Sequence, residues 1–253
     1  MNKIAFITGA TSGIGEACAH KFASKKFNII ISGRRQERLE KLAGILKKEY
    51  QVEVLEVELD VRDKEQVKNT VNQLPENWKS IDVLINNAGL ALGLSTFQEG
   101  KEEDWDIMID TNVKGLLYMG KTVSRLMVER GEGHIVNIGS IAGKEVYPRG
   151  NVYSATKHAV DAITKGMRQD LLKDGIRVTQ VAPGAVETEF SQVRFKGDNT
   201  RAAVVYHGYR PLKAEDVAEV AYFTTSLPPH VNINDVVVMP TDQANASTFN
   251  KSI

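Results

Sequence analysis

Short runs of β-branched residues alternate along the chain with longer segments in which apolar residues recur every three or four positions. The runs predict strands at residues 4–8, 28–32, 53–59, 83–86, 135–138, 177–181 and 235–239. Several are apolar without interruption, Ile29-Ile30-Ile31 and Val83-Leu84-Ile85 most clearly. A strand that is apolar on both faces is covered on both faces, as in a parallel sheet between two helix layers. The intervening segments, with Leu39, Leu42 and Leu46 or Val67 and Val71 at helical spacing, predict those helices. Alternation of this kind predicts the α/β class, a doubly wound parallel sheet with helices on both faces. No repeat or linker divides residues 1–253, so a single domain is expected. Two stretches escape the pattern. Residues 187–213 lack periodicity and stand where a substrate-covering loop belongs, and residues 243–253 read as a polar C-terminal tail.

Composition narrows the partners. Basic and acidic residues both number 32, so no net field draws the protein to nucleic acid or to an anionic membrane. No run approaches the roughly 18 apolar residues of a membrane span, and Met1-Asn2 leads straight into a strand, without a signal peptide. Cys18 is the only cysteine, which suits a reducing, cytoplasmic setting. The five histidines show no metal-ligand spacing, and no metal is expected.

The first strand runs into Thr8-Gly9-Ala10-Thr11-Ser12-Gly13-Ile14-Gly15, and a helix pattern begins at Glu16. Strand, glycine-rich turn and helix start together form a phosphate site, because glycines admit close approach and the helix start offers free N–H groups. The spacing Gly-x3-Gly-x-Gly is not the commoner Gly-x-Gly-x-x-Gly, and a tight turn needing positive φ would read the same way. The second strand ends Ser32-Gly33-Arg34-Arg35, with no carboxylate before Glu37. An acidic residue there would bind the ribose 2′-hydroxyl of NAD, whereas arginine accommodates the 2′-phosphate of NADP. Two guanidiniums therefore favour NADP, and cations flanking a helix start would otherwise oppose its dipole. Asp60 follows the third strand, placed to face an adenine or to cap the helix beginning near Asp63.

Tyr153 and Lys157 lie four residues apart in a helix pattern over 151–172, so hydroxyl and ammonium share one face. A nearby cation favours the phenolate, which would lower the tyrosine pKa and fit Tyr153 for general acid or base work. Ser140 ends the fifth strand, where it can donate to a substrate oxygen. The Tyr-x-x-x-Lys spacing alone is common; its place in a series is what carries weight.

In order, Thr8-Gly9-x3-Gly13-Ile14-Gly15, Asn86-Asn87-Ala88-Gly89, Asn112, Ser140, Tyr153-x3-Lys157 and Pro183-Gly184 resemble the short-chain dehydrogenase/reductase family over most of the chain. The resemblance implies a Rossmann-type fold and a catalytic tetrad of Asn112, Ser140, Tyr153 and Lys157. Ser140 then positions the substrate oxygen, Tyr153 exchanges its proton, Lys157 tunes the tyrosine and holds the nicotinamide ribose, and Asn112 orders a water. Asn112 also reads as an asparagine that interrupts a long helix for packing. The same resemblance assigns to the cofactor Gly9, Thr11, Ser12, Gly13, Ile14, Gly15, Arg34 and Arg35. It adds Asp60, Val61, Asn87, Ala88, Gly89, Pro183, Gly184, Val186 and Thr188, with Tyr153 and Lys157.

Gly33-Arg34-Arg35-Gln36-Glu37-Arg38-Leu39, Asn87-Ala88-Gly89-Leu90-Ala91-Leu92-Gly93 and the stretch Phe190–Asp198 are similar to one branch, the NADP-dependent 3-hydroxy acid dehydrogenases. That branch implies hydride transfer between NADP(H) and the 3-position of serine, allo-threonine or a 3-hydroxypropionate/malonic semialdehyde pair. Arg194 would then bind the substrate carboxylate as a bidentate pair; the other reading is a loop arginine paired with Glu187 or Glu189. A broad NADPH-dependent carbonyl reductase and a non-catalytic NADP sensor are the alternatives on the same scaffold. Family likeness further implies a homotetramer built on the helices around 112–128 and 153–172.

Overall fold

The computed structural model describes residues 2–252. Its strands are β1 (Ile4–Thr8), β2 (Asn28–Gly33), β3 (Val54–Glu58), β4 (Ile81–Asn86), β5 (Gly133–Ile138), β6 (Ile176–Pro183), β7 (Val186–Glu187), β8 (Leu212–Lys213) and β9 (Asp235–Val238). Seven form one parallel sheet in the order β3-β2-β1-β4-β5-β6-β9. The helices are α1 (Gly13–Ser24), α2 (Gln36–Tyr50), α3 (Lys64–Asn72), α4 (Glu102–Ile109), α5 (Leu116–Arg130), α6 (Asn151–Asp170), α7 (Phe190–Arg194), α8 (Asn199–Val204) and α9 (Ala214–Ser226).

The uninterrupted apolar runs do what two-sided burial requires. Successive side chains of a strand point to opposite faces. Ala5, Ile7, Ile29 and Ile31 pack with Phe22, Leu39 and Val217 of α1, α2 and α9. Ile4, Phe6 and Ile30 pack on the other face with Val67 of α3 and Met119 and Val123 of α5. Phe22 is fully buried, edge-on to Phe27 at 5.2 Å and to Tyr222 at 5.5 Å. Phe22→Ala should cost about 3–5 kcal/mol, read as a fall in the denaturant midpoint; a loss below about 1 kcal/mol would contradict this packing.

Strand order reverses between β1 and β4, which opens a crevice beyond their carboxyl ends. The long helix beside it is not uniform: α4 passes through a π-helical turn, Asp110–Gly115, into α5. Residues 187–213 are more ordered than their sequence suggests, holding α7, α8 and the small parallel pair β7–β8. The polar C-terminal segment folds back over this region. Gln243 is buried and its Oε1 accepts from the Ala185 N–H at 2.8 Å, Asn250 N–H donates to Asp242 O at 2.7 Å, and Phe249 packs on Tyr209 at 4.6 Å. Trp78 packs in the core on one face of the sheet, whereas Trp105 stacks on Phe97 at 5.5 Å and lines the pocket beside Tyr153. No helix among the described residues is long and apolar enough to cross a membrane.

Candidate active site

The glycine turn sits at the mouth of the crevice. Gly9 and Gly13 have positive φ (65° and 58°), which glycine alone adopts without strain. Thr8 ties the turn to the end of β4: its Oγ1 accepts from the N–H groups of Asn87 and Ala88, both at 2.9 Å. Asn87 reaches back, Nδ2 donating to Thr8 O at 2.8 Å and Gly9 O at 3.3 Å. Helix α1 starts behind Ser12 with no side chain capping its first N–H groups. An open helix start beside the hydroxyls of Thr11 and Ser12 fits a phosphate. A Cβ on Gly15 would strike the Gly9 carbonyl and lie 2.6 Å from Asn87 Nδ2. Gly15→Ala should therefore cost about 1–3 kcal/mol of stability and loosen dinucleotide binding with it; an unchanged melting temperature would contradict the close approach.

The arginines expected at the end of β2 are present, and a third joins them. Arg35 donates to Thr11 Oγ1 at 2.8 Å and Ser12 Oγ at 3.0 Å, and its Nη1 donates to Glu189 Oε2 at 3.2 Å. Arg38, one turn along α2, donates through Nη1 to both oxygens of Glu189 at 2.8 and 2.9 Å. Arg34 is exposed. Asp60 does not cap α3. Asp63 does, accepting from Gln66 N–H at 2.9 Å, while the Asp60 carboxylate takes the Arg62 Nε and backbone N–H, each at 3.0 Å. Burial pushes the Asp60 carboxyl up, but hydrogen bonds from Arg62 and the charges of Arg62 and Arg34 outweigh it and hold it below its ordinary value. Val61 is buried against the position where a Cβ on Gly115 would stand.

At the other end of the crevice Thr188 rests against Gly13, beyond Pro183-Gly184 and β7, so the two sides meet. Val186 lies in β7, paired with Leu212.

The four residues of the expected tetrad are brought to one place. Asn112 lies in the π-helical turn, buried, its Oδ1 accepting from Leu90 N–H and its Nδ2 donating to Leu90 O, both at 2.8 Å, and to Thr156 Oγ1 at 3.1 Å. It thereby fixes Leu90, beyond the end of β4, to α6. Ser140 is the cap of a short 3-10 turn, its Oγ accepting from Ala142 N–H at 3.1 Å. Lys157 is buried and spends one of its three donors on Ile138 O at 2.9 Å.

The electrostatics correct one expectation. The net shift of Tyr153 is upward rather than downward, with the Lys157 Nζ 6.0 Å from its ring centroid. Burial pushes the Tyr153 hydroxyl up to about 12, the neighbouring Tyr147 adds to that, and a hydrogen bond with Ser140 and the charge of Arg194 pull only partly back. Burial likewise pushes Lys157 down to about 8. In a desolvated site both groups are driven toward their neutral forms, which the spacing of two residues on a helix could not show.

Tyr153 opens onto a pocket of about 210 Å³. Lys101, Arg149, Arg194, Lys196 and Arg201 line it, and Asp104 is its only acidic residue, paired with Lys196 at 2.8 Å. The Arg194 guanidinium lies 5.3 Å from the Tyr153 ring centroid and donates to the Tyr147 hydroxyl, and its buried Nε has no hydrogen-bond partner. Glu189 is committed to Arg35 and Arg38, and no carboxylate among the described residues pairs with Arg194. Of its two readings, the loop arginine held by Glu187 or Glu189 is not what the fold builds. Sequence reasoning did not single out Tyr147, Arg38 or Arg62. Arg38 was detectable, since it stands in the first turn of α2, three residues beyond Arg35. Tyr147 carries no periodic signal.

The comparisons with known proteins agree in kind. Residues 3–199 match the family described as short chain dehydrogenase. A protein of Salmonella typhi named NADP-dependent 3-hydroxy acid dehydrogenase YdfG is 47% identical over 244 residues, covering 96% of this chain and 97% of that protein. Sulfoacetaldehyde reductase 2 of Chromohalobacter salexigens is 46% identical over 245 residues, 96% of each chain. Among solved structures, a closed form of serine dehydrogenase complexed with NADP+ superposes with a TM-score of 0.92 at 44% identity, over 99% of this chain and 100% of that one.

Proposed function

The chain belongs to the short-chain dehydrogenase/reductase family and is an NADP-dependent oxidoreductase of the CH–OH group; we propose that its substrate is a small 3-hydroxy or 3-oxo acid, of the 3-hydroxypropionate/malonic semialdehyde, serine or allo-threonine type. The observation that carries this reading is Arg194, a guanidinium without a carboxylate partner beside Tyr153 in a pocket lined by further cations. A planar fork of donors matches a carboxylate bidentately. A sulfonate carries the same charge, in keeping with the reductase of sulfoacetaldehyde among the relatives.

Bound at the glycine turn, NADP(H) supplies or accepts the hydride. The open start of α1, Thr11, Ser12 and the arginines of β2–α2 fit its phosphates. Asn87, tied to the glycine turn, and Gly89 would line its binding crevice, and Asp60 and Val61 would flank its adenine end. Pro183, Gly184, Val186 and Thr188, the last resting against Gly13, would close the nicotinamide side. Ser140 hydrogen-bonds the substrate oxygen, and Tyr153, held as a neutral phenol, gives its proton to the oxygen as negative charge develops there. The two N–H groups of Lys157 not given to Ile138 O would hold the nicotinamide ribose. Asn112 keeps Leu90 and Thr156 in register, beside which a water of the proton relay would be held.

Because Tyr153 titrates near 12 and Lys157 near 8, kcat/KM for reduction should be level through neutral pH and decline above about 8, where Lys157 loses its charge. Oxidation should rise with pH as phenolate becomes accessible. A reduction rate that falls from well below neutrality would contradict these assignments.

The assignment is tested by steady-state oxidation of serine, allo-threonine and 3-hydroxypropionate with NADP+ and NAD+. NADP+ should be preferred by more than about tenfold, the worth of one charge-assisted contact; turnover of no hydroxy acid would sink the reading. We also infer a homotetramer, supported by the exposed apolar residues Ile109, Leu117 and Val128 along α4–α5, and sedimentation as a monomer would refute it. A reducing cytoplasm suits Cys18, a buried thiol that burial pushes up to about 12.

A further inference from the structure

Glu189 accepts from two of the three arginines clustered where β2 gives way to α2, the end at which a 2′-phosphate is read. Arg35 is braced over the glycine turn by Thr11 and Ser12, and its remaining Nη1 donates to the Glu189 carboxylate at 3.2 Å. Arg38 gives the same carboxylate two bonds, at 2.8 and 2.9 Å. The residues lie over 150 positions apart in sequence, and the contact joins α2 and the residue before it to the segment after β7. All three side chains are between 40% and 46% exposed, and ion pairs that exposed are weak. A phosphate carries nearly twice the charge of a carboxylate and three acceptor oxygens. It can therefore take both guanidiniums from Glu189, whereas a dinucleotide with only a 2′-hydroxyl has no charge with which to displace it.

Resting on the NADP reading, we propose that Glu189 is a specificity-determining residue: the counter-anion that a 2′-phosphate displaces from Arg35 and Arg38, setting the margin by which NADP(H) is bound over NAD(H). The displacement is felt beyond the phosphate. Glu189 immediately precedes α7, and α7 ends in Arg194. While the carboxylate is held, the start of α7 is tethered to α2; once it is released, that tether is gone. Occupancy of the 2′-phosphate site is in this way communicated to the helix that carries the substrate-facing arginine.

The test is direct binding to the ligand-free protein by titration calorimetry, with NADP+, NAD+, 2′,5′-ADP and 5′-ADP, for wild type, Glu189→Gln and Glu189→Asp. Glu189→Gln should bind NADP+ and 2′,5′-ADP about fivefold more tightly, the factor one exposed ion pair is worth. NAD+ and 5′-ADP should stay within about twofold, and Glu189→Asp should resemble wild type. Hydrogen exchange gives a second readout: 2′,5′-ADP, which lacks nicotinamide, should speed exchange in α7 of the wild type, and 5′-ADP should not. Unchanged or weaker NADP+ binding by Glu189→Gln overturns the proposal, as does a parallel shift in NAD+, which would mark a clasp over any dinucleotide. Wild-type protein that binds NAD+ as tightly as NADP+ overturns the cofactor reading as well, so the two failures are distinguishable.

Discussion

Tyr153→Phe should lower kcat for carbonyl reduction by about 10²–10⁴-fold, the usual worth of a positioned general acid, while leaving NADPH affinity and melting temperature near those of the wild type. The substitution keeps the ring that packs edge-on to Phe190 at 5.7 Å and removes only the hydroxyl. Burial holds that hydroxyl as a neutral phenol at neutral pH, so it is a donor matched to an oxygen that becomes an alkoxide. Lys157 directs one N–H to Ile138 O, and Arg194 does not give up its charge. Rapid-mixing measurement of NADPH oxidation separates chemistry from binding. Retained single-turnover rates would remove Tyr153 from the reaction.

Arg194→Ala should cost acid substrates about 1.5–3 kcal/mol, roughly 10- to 150-fold in kcat/KM, because a charge-assisted hydrogen bond in a partly desolvated pocket is lost. A neutral aldehyde of similar size makes no such bond and should keep its kcat/KM within about threefold. The contrast between the two substrates is the informative quantity, since a repacked pocket would penalise both. Arg194→Lys should restore only part of the loss, as a point charge lacks the planar fork. Most of the effect should appear in KM, the signature of an interaction present in ground and transition states alike. Equal losses for acid and neutral substrates would reduce Arg194 to a packing residue against Tyr147 and Phe190.

The sheet was legible because two-sided burial leaves an unmistakable pattern. Ile29-Ile30-Ile31 cannot alternate between core and solvent, and the fold divides the run between two cores instead. The expected catalytic and cofactor positions were legible as an ordered series of motifs at strand ends, where a doubly wound sheet places ligands. The segment 187–213 was not. Helices of five and six residues lie below the length at which local propensity nucleates a helix. Tertiary bonds hold α7 and the turn that follows it, Ser191 to Tyr206 at 2.8 Å and Lys196 to Asp104 at 2.8 Å. The π-helical turn at Asn112 was equally hidden, since its helix pattern continues through it and only the contacts with Leu90 and Thr156 reveal why the turn widens. Spacing on α6 placed Tyr153 beside Lys157 correctly, yet the direction of the tyrosine shift depends on desolvation, which only packing determines. Glu189 was visible solely as a partner for Arg194; its engagement by Arg35 and Arg38 joins residues that no local pattern connects.

The central claim is that one crevice binds NADPH at the glycine turn and presents a small anionic carbonyl compound to Tyr153. Its most direct test is the wild-type rate of NADPH consumption with malonic semialdehyde and, under identical conditions, with propanal. Malonic semialdehyde should be reduced with a kcat/KM at least about tenfold above that of propanal, the advantage of one charge-assisted contact. Equal or greater efficiency with propanal, or no NADPH consumption with either, would contradict it.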